Sequence, residues 1–337
     1  MNKKNTPLLF LLLTVLSLTT ILVSLLLGRF SIALSDISQL INPFSTKLAN
    51  SQVETIIFNI RLPRILAAFL VGGTLSITGA SYQGMFRNPM VSPSILGVSA
   101  GAGFGAALAI LLGLSAFMLQ LSSFLFGVGA VVAVYLISIS TGKKHDKCLT
   151  LILAGMIVAT VFSALISVLK FVADPDDTLP SIVYWLMGSL SDIELIDLRY
   201  ISIISLAGLL FLSISGWKLD MLSFGDDEAK SMGLNVDRLR FAVIAIATLM
   251  TACAVSISGI IGWIGLLVPH ITRMLIGSKN AVLLPASFLI GGTFLLLVDD
   301  FSRTISSMEI PLGITTSLIG APFFIFILMR TSKKNKS

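Results

Sequence analysis

Few residues in this 337-residue chain could do chemistry. Asp299 and Asp300 close a long uncharged run, and Arg303 stands four residues past Asp299. Carboxylates inside a membrane segment can hold a proton or a sodium ion. The same i,i+4 spacing also lets Asp299 and Arg303 simply pair on one helix face. His145 in GKKHDK and His270 in LLVPHITR are the only histidines. Two isolated histidines on different loops do not make a metal site. There is no H-E-x-x-H, and no Gly-x-Ser-x-Gly elbow set against a His and an acid. TGKKHD holds Gly142 and Lys143 but lacks the upstream glycine and the Ser or Thr after the lysine that a phosphate-binding loop needs. The expectation is therefore no catalytic residue, no metal, no cofactor, and no ATP hydrolysis by this chain alone. Cys148 and Cys253 fall in different apolar runs and read as packing residues.

The elements that would position these residues are membrane helices. Hydrophobic residues make up 55% of the chain and charged residues only 12%, where a soluble domain carries about 25% charged residues. No Asp, Glu, Lys or Arg occurs over 5–28, 65–86, 88–142, 148–169, 200–217, 241–272, 280–298 or 310–329. A crossing helix needs about 20 apolar residues. The third run is long enough for two helices with a break near Leu112–Ser115. The sixth fits two shorter ones with a break at Ser258–Trp263. The expected fold is an all-α integral membrane protein, one domain of ten transmembrane helices. Their bounds are roughly 7–28, 62–86, 92–111, 116–140, 148–171, 196–217, 241–259, 260–276, 280–300 and 309–330. Thr178–Ser191 is too short to cross and reads as an interfacial helix. Lys3 and Lys4 before the first run mimic a signal peptide, but no small-x-small cleavage site follows, so that run is expected to stay as a span.

Ten spans put both termini on one side. Taking that side as the cytoplasm gives it 16 of the 23 Lys and Arg, as the positive-inside rule requires. The glycines of VGGTLSITGASYQG and GVSAGAGFGA predict close helix packing.

One polar stretch interrupts the grease: FGDDEAKSMGLNVDRLR, Phe224–Arg240. Three acids after Gly225 and a lysine before Gly233 suit a short helix with its dipole satisfied at both ends and a glycine stop. Asn235 suits the N-cap of a second short helix. Two short helices joined at a glycine and facing the cytoplasm would form a rigid docking knob.

RLPRILAAFLVGGTLSITGASYQGMFRNPMVSPSILGVSAGAGFG, the insert itself, GWIGLLVPHITRMLIG and EIPLGITTSLIGAPFFIFIL together resemble the FecCD-type permeases of type II ABC importers, in family order over about 58–330. The resemblance implies a permease working as a homodimer in the bacterial cytoplasmic (inner) membrane. Two copies of a cytoplasmic ABC ATPase and an extracytoplasmic substrate-binding protein would complete the importer. It implies that Gly225, Asp226, Asp227, Glu228, Ala229 and Gly233 form the ATPase-coupling surface. Arg61, Arg64 and Arg303 would dock the binding protein. Asn88, Met90, Lys147 and Cys148 would form the cytoplasmic gate, with Lys-Cys standing where the family carries small hydroxyl residues. The helix over about Leu149–Phe171 would line the pore. Cargo is expected to be a ferric siderophore first, haem or cobalamin next. The alternative within the class is an oxyanion such as molybdate or tungstate; from another class, it is an ion-coupled carrier.

Overall fold

The computed structural model describes residues 6–28, 30, 51–141, 147–306 and 308–334, and among these every regular element is helical. The elements are α1 Thr6–Leu26, α2 Leu62–Met85, α3 Val98–Leu111, α4 Ala116–Ser140, α5 Lys147–Val172, α6 Thr178–Met187, α7 Leu195–Leu222, α8 Asp226–Ser231, α9 Val236–Ser258, α10 Ile264–Ile276, α11 Asn280–Thr304 and α12 Leu312–Lys334. A helical lead-in precedes α2, and its last part, Ile56–Arg61, is π-helical. There the Leu62 N–H bonds the Ile57 carbonyl five residues back. Pro63 follows at once and has no N–H to offer the ladder.

Among the described residues seven helices are long and apolar enough to cross a membrane: α1, α2 with its lead-in, α4, α5, α7, α9 and α11. The runs expected at 92–111 and 260–276 are only partly helical. α3 holds 14 residues and α10 holds 13. At 1.5 Å per residue each is about 20 Å long, short of the ~30 Å hydrocarbon core. The remainder of each run is a 3₁₀ turn at Pro93–Leu96 ending on Gly97 at φ 80°, or the irregular stretch 259–263. In that stretch Gly259 and Trp263 both have positive φ, 67° and 69°. The expected breaks at 112–115 and 258–263 do separate α3 from α4 and α9 from α10. α6 covers the stretch expected to be a short non-crossing helix.

α2 is the centre of the bundle, and α11 packs against it more extensively than any other pair of elements. The seam is made of glycine. A Cβ on Gly72 would collide with the Gly291 carbonyl oxygen, and a Cβ on Gly291 would lie 2.6 Å from the Gly72 carbonyl oxygen. Phe69 and Phe288 lie over Gly292 and Gly73 and meet edge to face, centroids 6.0 Å apart. With lipid as solvent there is little hydrophobic gain in helix association, so close backbone contact does the work.

This seam makes a testable difference between glycines. Gly291→Val forces backbones apart and should cost about 1–3 kcal/mol or more. Thermal unfolding in detergent should show it as a lower melting temperature. Gly129→Ala, on α4 with nothing within 4 Å of its Cβ position, should show no loss. Equal behaviour of the two variants would refute a seam of this kind.

Candidate functional site

At one end of the bundle lie the three arginines expected to face outward. They are almost fully covered: Arg61 is 4% exposed, Arg64 8% and Arg303 6%. Arg64 stands in the first turn of α2. Its Nε donates to both Asp299 oxygens at 3.1 Å and its Nη2 to Oδ1 at 2.9 Å. Its Nη1 holds Glu309 through both carboxylate oxygens, at 3.0 and 2.9 Å. Arg303 does not have Asp299 as its main partner, as its i,i+4 spacing suggested. Nη2 instead donates to Asp300 and to the Ser24 carbonyl and hydroxyl of α1, the latter two at 2.8 Å. Asp299 remains 3.9 Å from its Nε. Arg61 donates to the Leu25 carbonyl at 2.7 Å and the Phe30 carbonyl at 2.5 Å, so it caps the end of α1. Two guanidinium groups, Arg64 and Arg303, thus meet three carboxylates while Arg61 holds backbone carbonyls, and α1, α2 and α11 are tied together.

At the opposite end lies the insert. α8 begins after Gly225, at φ 125°, with Asp226, Asp227 and Glu228 in its first turn. It stops in a glycine turn closed by two hydrogen bonds. The Gly233 N–H bonds the Lys230 carbonyl at 2.8 Å, and the Leu234 N–H reaches the Ala229 carbonyl at 3.0 Å. This is the pattern that a residue at φ 85° allows. Asn235 then caps α9, its side chain accepting from the Arg238 N–H at 3.0 Å. The second short helix expected here does not end, however. It is the first turns of the 23-residue α9. Nothing between Arg240 and Phe241 signals a stop, so the ladder runs on.

The insert closes on itself. Arg240 grips Asp226 with Nη1 and Nη2, both at 2.7 Å. Arg87 adds a longer contact, Nη2 to Asp226 at 3.8 Å. Of the expected coupling residues, Asp227, Glu228 and Gly233 are exposed, Asp226 is half-buried, and Gly225 and Ala229 are buried. Ala229 packs inside the bundle rather than presenting itself to a partner. The exposed tips are Phe224, 71% exposed, and Met232, which the sequence reading did not single out. Lys230 is paired with Asp227 at 3.0 Å, and that carboxylate holds its ammonium above the ordinary lysine range.

The expected gate residues lie at this same end. Asn88 accepts the Met90 N–H at 2.9 Å, and Met90 is exposed. Arg87, just before them, has φ 52°. Gln83 supports this loop by donating to the Val91 carbonyl, and Arg273 donates to the Gln83 oxygen at 3.1 Å. Lys147 donates to Asp237 of α9 at 2.7 Å. Cys148 beside it is half-buried. Arg87, Asp237 and Arg240 were the residues missed. Their signal in the sequence was only a charge flanking an otherwise apolar run.

A helical bundle of this apolarity, with a short polar helix at one end, is a multi-pass membrane protein. The model of the FecCD transport family matches residues 13–330. The chain belongs to the FecCD transport family, and the relatives below are permease proteins of import or transport systems. It is 43% identical over 314 residues to the molybdate import system permease protein MolB of Haemophilus influenzae, covering 93% of this chain and 92% of that one. It is 38% identical over 313 residues to an iron chelatin transport system permease of Helicobacter pylori, covering 92% and 94%. A solved structure classed with the metal-chelate type of ABC transporter, in an inward-facing conformation, superposes with a TM-score of 0.86 at 40% identity. It covers 96% of this chain and 99% of that one.

The arginine end supports a sharp prediction. Arg64→Ala leaves Asp299, fully buried, without its main counter-charge and should cost about 3–5 kcal/mol. Glu309→Gln removes a partly exposed partner and should cost about 1 kcal/mol or less. Thermal denaturation of the purified protein in detergent ranks the two. The reverse order would show that Asp299 does not depend on Arg64.

Proposed function

We propose that this chain is the membrane subunit of a binding-protein-dependent ABC importer, working as a homodimer with ten crossings per chain, α3 and α10 each completing a crossing together with the 3₁₀ turn or irregular stretch that precedes it. Both termini and the 224–240 insert face the cytoplasm of a bacterial inner membrane. Two copies of a separate ATPase dock on the two inserts and supply the energy, since this chain has no phosphate-binding loop of its own. The observation that carries the reading is the insert. It is a short helix closed by a glycine turn and gripped end to end by Arg240 and Asp226. A plain linker needs no such construction.

Cargo would pass along the dimer axis, beside α5, and be handed over by an extracytoplasmic binding protein. Arg61, Arg64 and Arg303 shape the surface on which that protein rests. Each already has partners in this chain, so a docking carboxylate must displace one. Glu309 is the displaceable partner, because its side chain is 29% exposed while Asp299 is sealed in. At the other end, Asn88 and Met90 with Lys147 and Cys148 form the gate. Closure of the ATPase pair pulls the inserts and shifts the bundle as a rigid body.

For cargo, we place a tetrahedral oxyanion of the molybdate or tungstate kind first. The molybdate relative is 43% identical over nearly the whole chain. A ferric chelate is the second reading, favoured by the iron chelatin relative and by the metal-chelate class of the structural neighbour. This reverses the order drawn from sequence motifs alone.

One experiment tests both levels. The chain is reconstituted in liposomes with its ATPase and binding protein, and ATP hydrolysis is followed with molybdate, tungstate, ferric siderophore, haem or cobalamin. Stimulation by molybdate and tungstate is expected. Stimulation by a ferric chelate alone would move the cargo to the second reading. A chain that neither binds the ATPase nor alters its rate would remove the importer reading.

A further inference from the structure

Two of the ion pairs at the insert end have a shared geometry that the importer reading leaves unused. From the insert, Asp226 reaches Arg87, at 3.8 Å. Arg87 is the residue before Asn88, at the end of α2, and is held at φ 52°. From the first turn of α9, Asp237 accepts from Lys147 at 2.7 Å. Lys147 is the first residue of α5. The two segments expected to form the gate start at these residues. Each is therefore joined by one ion pair to the same body, the 225–240 insert. That body is stiff, since its two ends are locked by the Arg240–Asp226 fork.

Neither link contributes much to stability. The Lys147 and Asp237 side chains are 52% and 65% exposed, and those of Arg87 and Asp226 are 43% and 31% exposed. Exposed pairs of this kind contribute little to stability, because solvent screens them and holding two long side chains together costs entropy. Such contacts can break and reform at little cost, as a moving joint must. The buried pairs at the arginine end cannot.

We infer that Arg87–Asp226 and Lys147–Asp237 are the two joints through which the insert moves the two gate segments. Arg87 and Lys147 are positioning residues in this scheme. They make the gate follow the insert. The inference rests on the importer reading and deepens it, because it assigns the transmission between the ATPase-facing surface and the gate.

Charge exchange tests the joints. The full complex of permease, ATPase and binding protein is reconstituted, and uptake per ATP hydrolysed is measured. The probes are radiolabelled molybdate and, in parallel, a radiolabelled ferric hydroxamate chelate. Lys147→Asp and Asp237→Lys should each lower uptake per ATP by about two- to fivefold, and the double exchange Lys147→Asp with Asp237→Lys should restore it. Arg87→Glu should lower the ratio and Arg87→Lys should keep it. Melting temperatures should stay together across the set, which separates a joint from a structural brace. Single variants at the wild-type ratio, or a double exchange that does not recover, would overturn the Lys147–Asp237 joint. Arg87→Glu at the wild-type ratio would overturn the other. A chain that neither binds the ATPase nor alters its rate, with these probes or with haem or cobalamin, would overturn the importer reading itself, and the joints with it.

Discussion

A charge cannot be left alone inside an apolar bundle, and the pairing of Arg64 with Asp299 follows from that constraint. Asp299 is completely buried near the end of α11, and Arg64 lies in the first turn of α2. Once they meet, the register between those two helices is set at one end. The Gly72–Gly291 contact then sets their separation further along. Replacing either partner leaves an uncompensated charge in low dielectric, which is far more costly than losing a surface pair. α1 is bound into the same network, because Ser24 donates to Asp300 at 2.6 Å and Arg61 caps its last turn. α7 and α10 pack against both helices of this α2–α11 pair in turn.

The two ends of the molecule therefore differ in kind. At the arginine end the carboxylates that meet arginine are mostly buried and several of the bonds are bidentate. At the insert end, Asp226 is shared between a buried arginine and an exposed one, and Lys147 and Asp237 meet in the open. A bundle held hard at one end and joined loosely at the other can change its opening at the loose end without unfolding. Ion pairs in solvent are also screened within about 8 Å at physiological salt, so they constrain only the residues they touch.

Much of this was legible from charge-free runs, because a charge marks where a helix leaves the apolar phase. The ends of α4, α5 and α11 fall close to the limits of such runs, and the breaks at 112–115 and 258–263 coincide with Gly113 and Gly259. The shortness of α3 and α10 was not legible. A run of uncharged residues counts chain length, while a membrane measures rise, and a 3₁₀ turn or an irregular stretch uses residues without helical rise. The Asn235 cap could be read locally, but the fate of the helix it starts could not. The partners of the arginines were hidden for a different reason. Arg64 lies 235 residues from Asp299 and 245 from Glu309. Spacing shows neighbours on one helix, as for Asp299 and Arg303, and says nothing of which distant carboxylate arrives first.

The merging of the insert with α9 has a mechanical consequence. Had a second short helix ended before the next span, a flexible corner would separate the docking surface from the membrane. Instead the Asn235 cap starts 23 residues of unbroken helix, about 35 Å of rod. The rod ends at Ser258, whose carbonyl accepts the Ser189 N–H at 2.9 Å. In the same turn region, the Gly188 carbonyl accepts the Leu312 N–H that starts α12. A push on Phe224 or Met232 would be carried into α9 through the Arg240–Asp226 fork, which bridges the Gly233 turn. Beyond the fork, the irregular stretch 259–263, with two residues at positive φ, is the next place where the backbone can yield. Movement imposed at one face would then appear where the Ser189–Ser258 and Gly188–Leu312 bonds link α9 and α12 to the turn after α6.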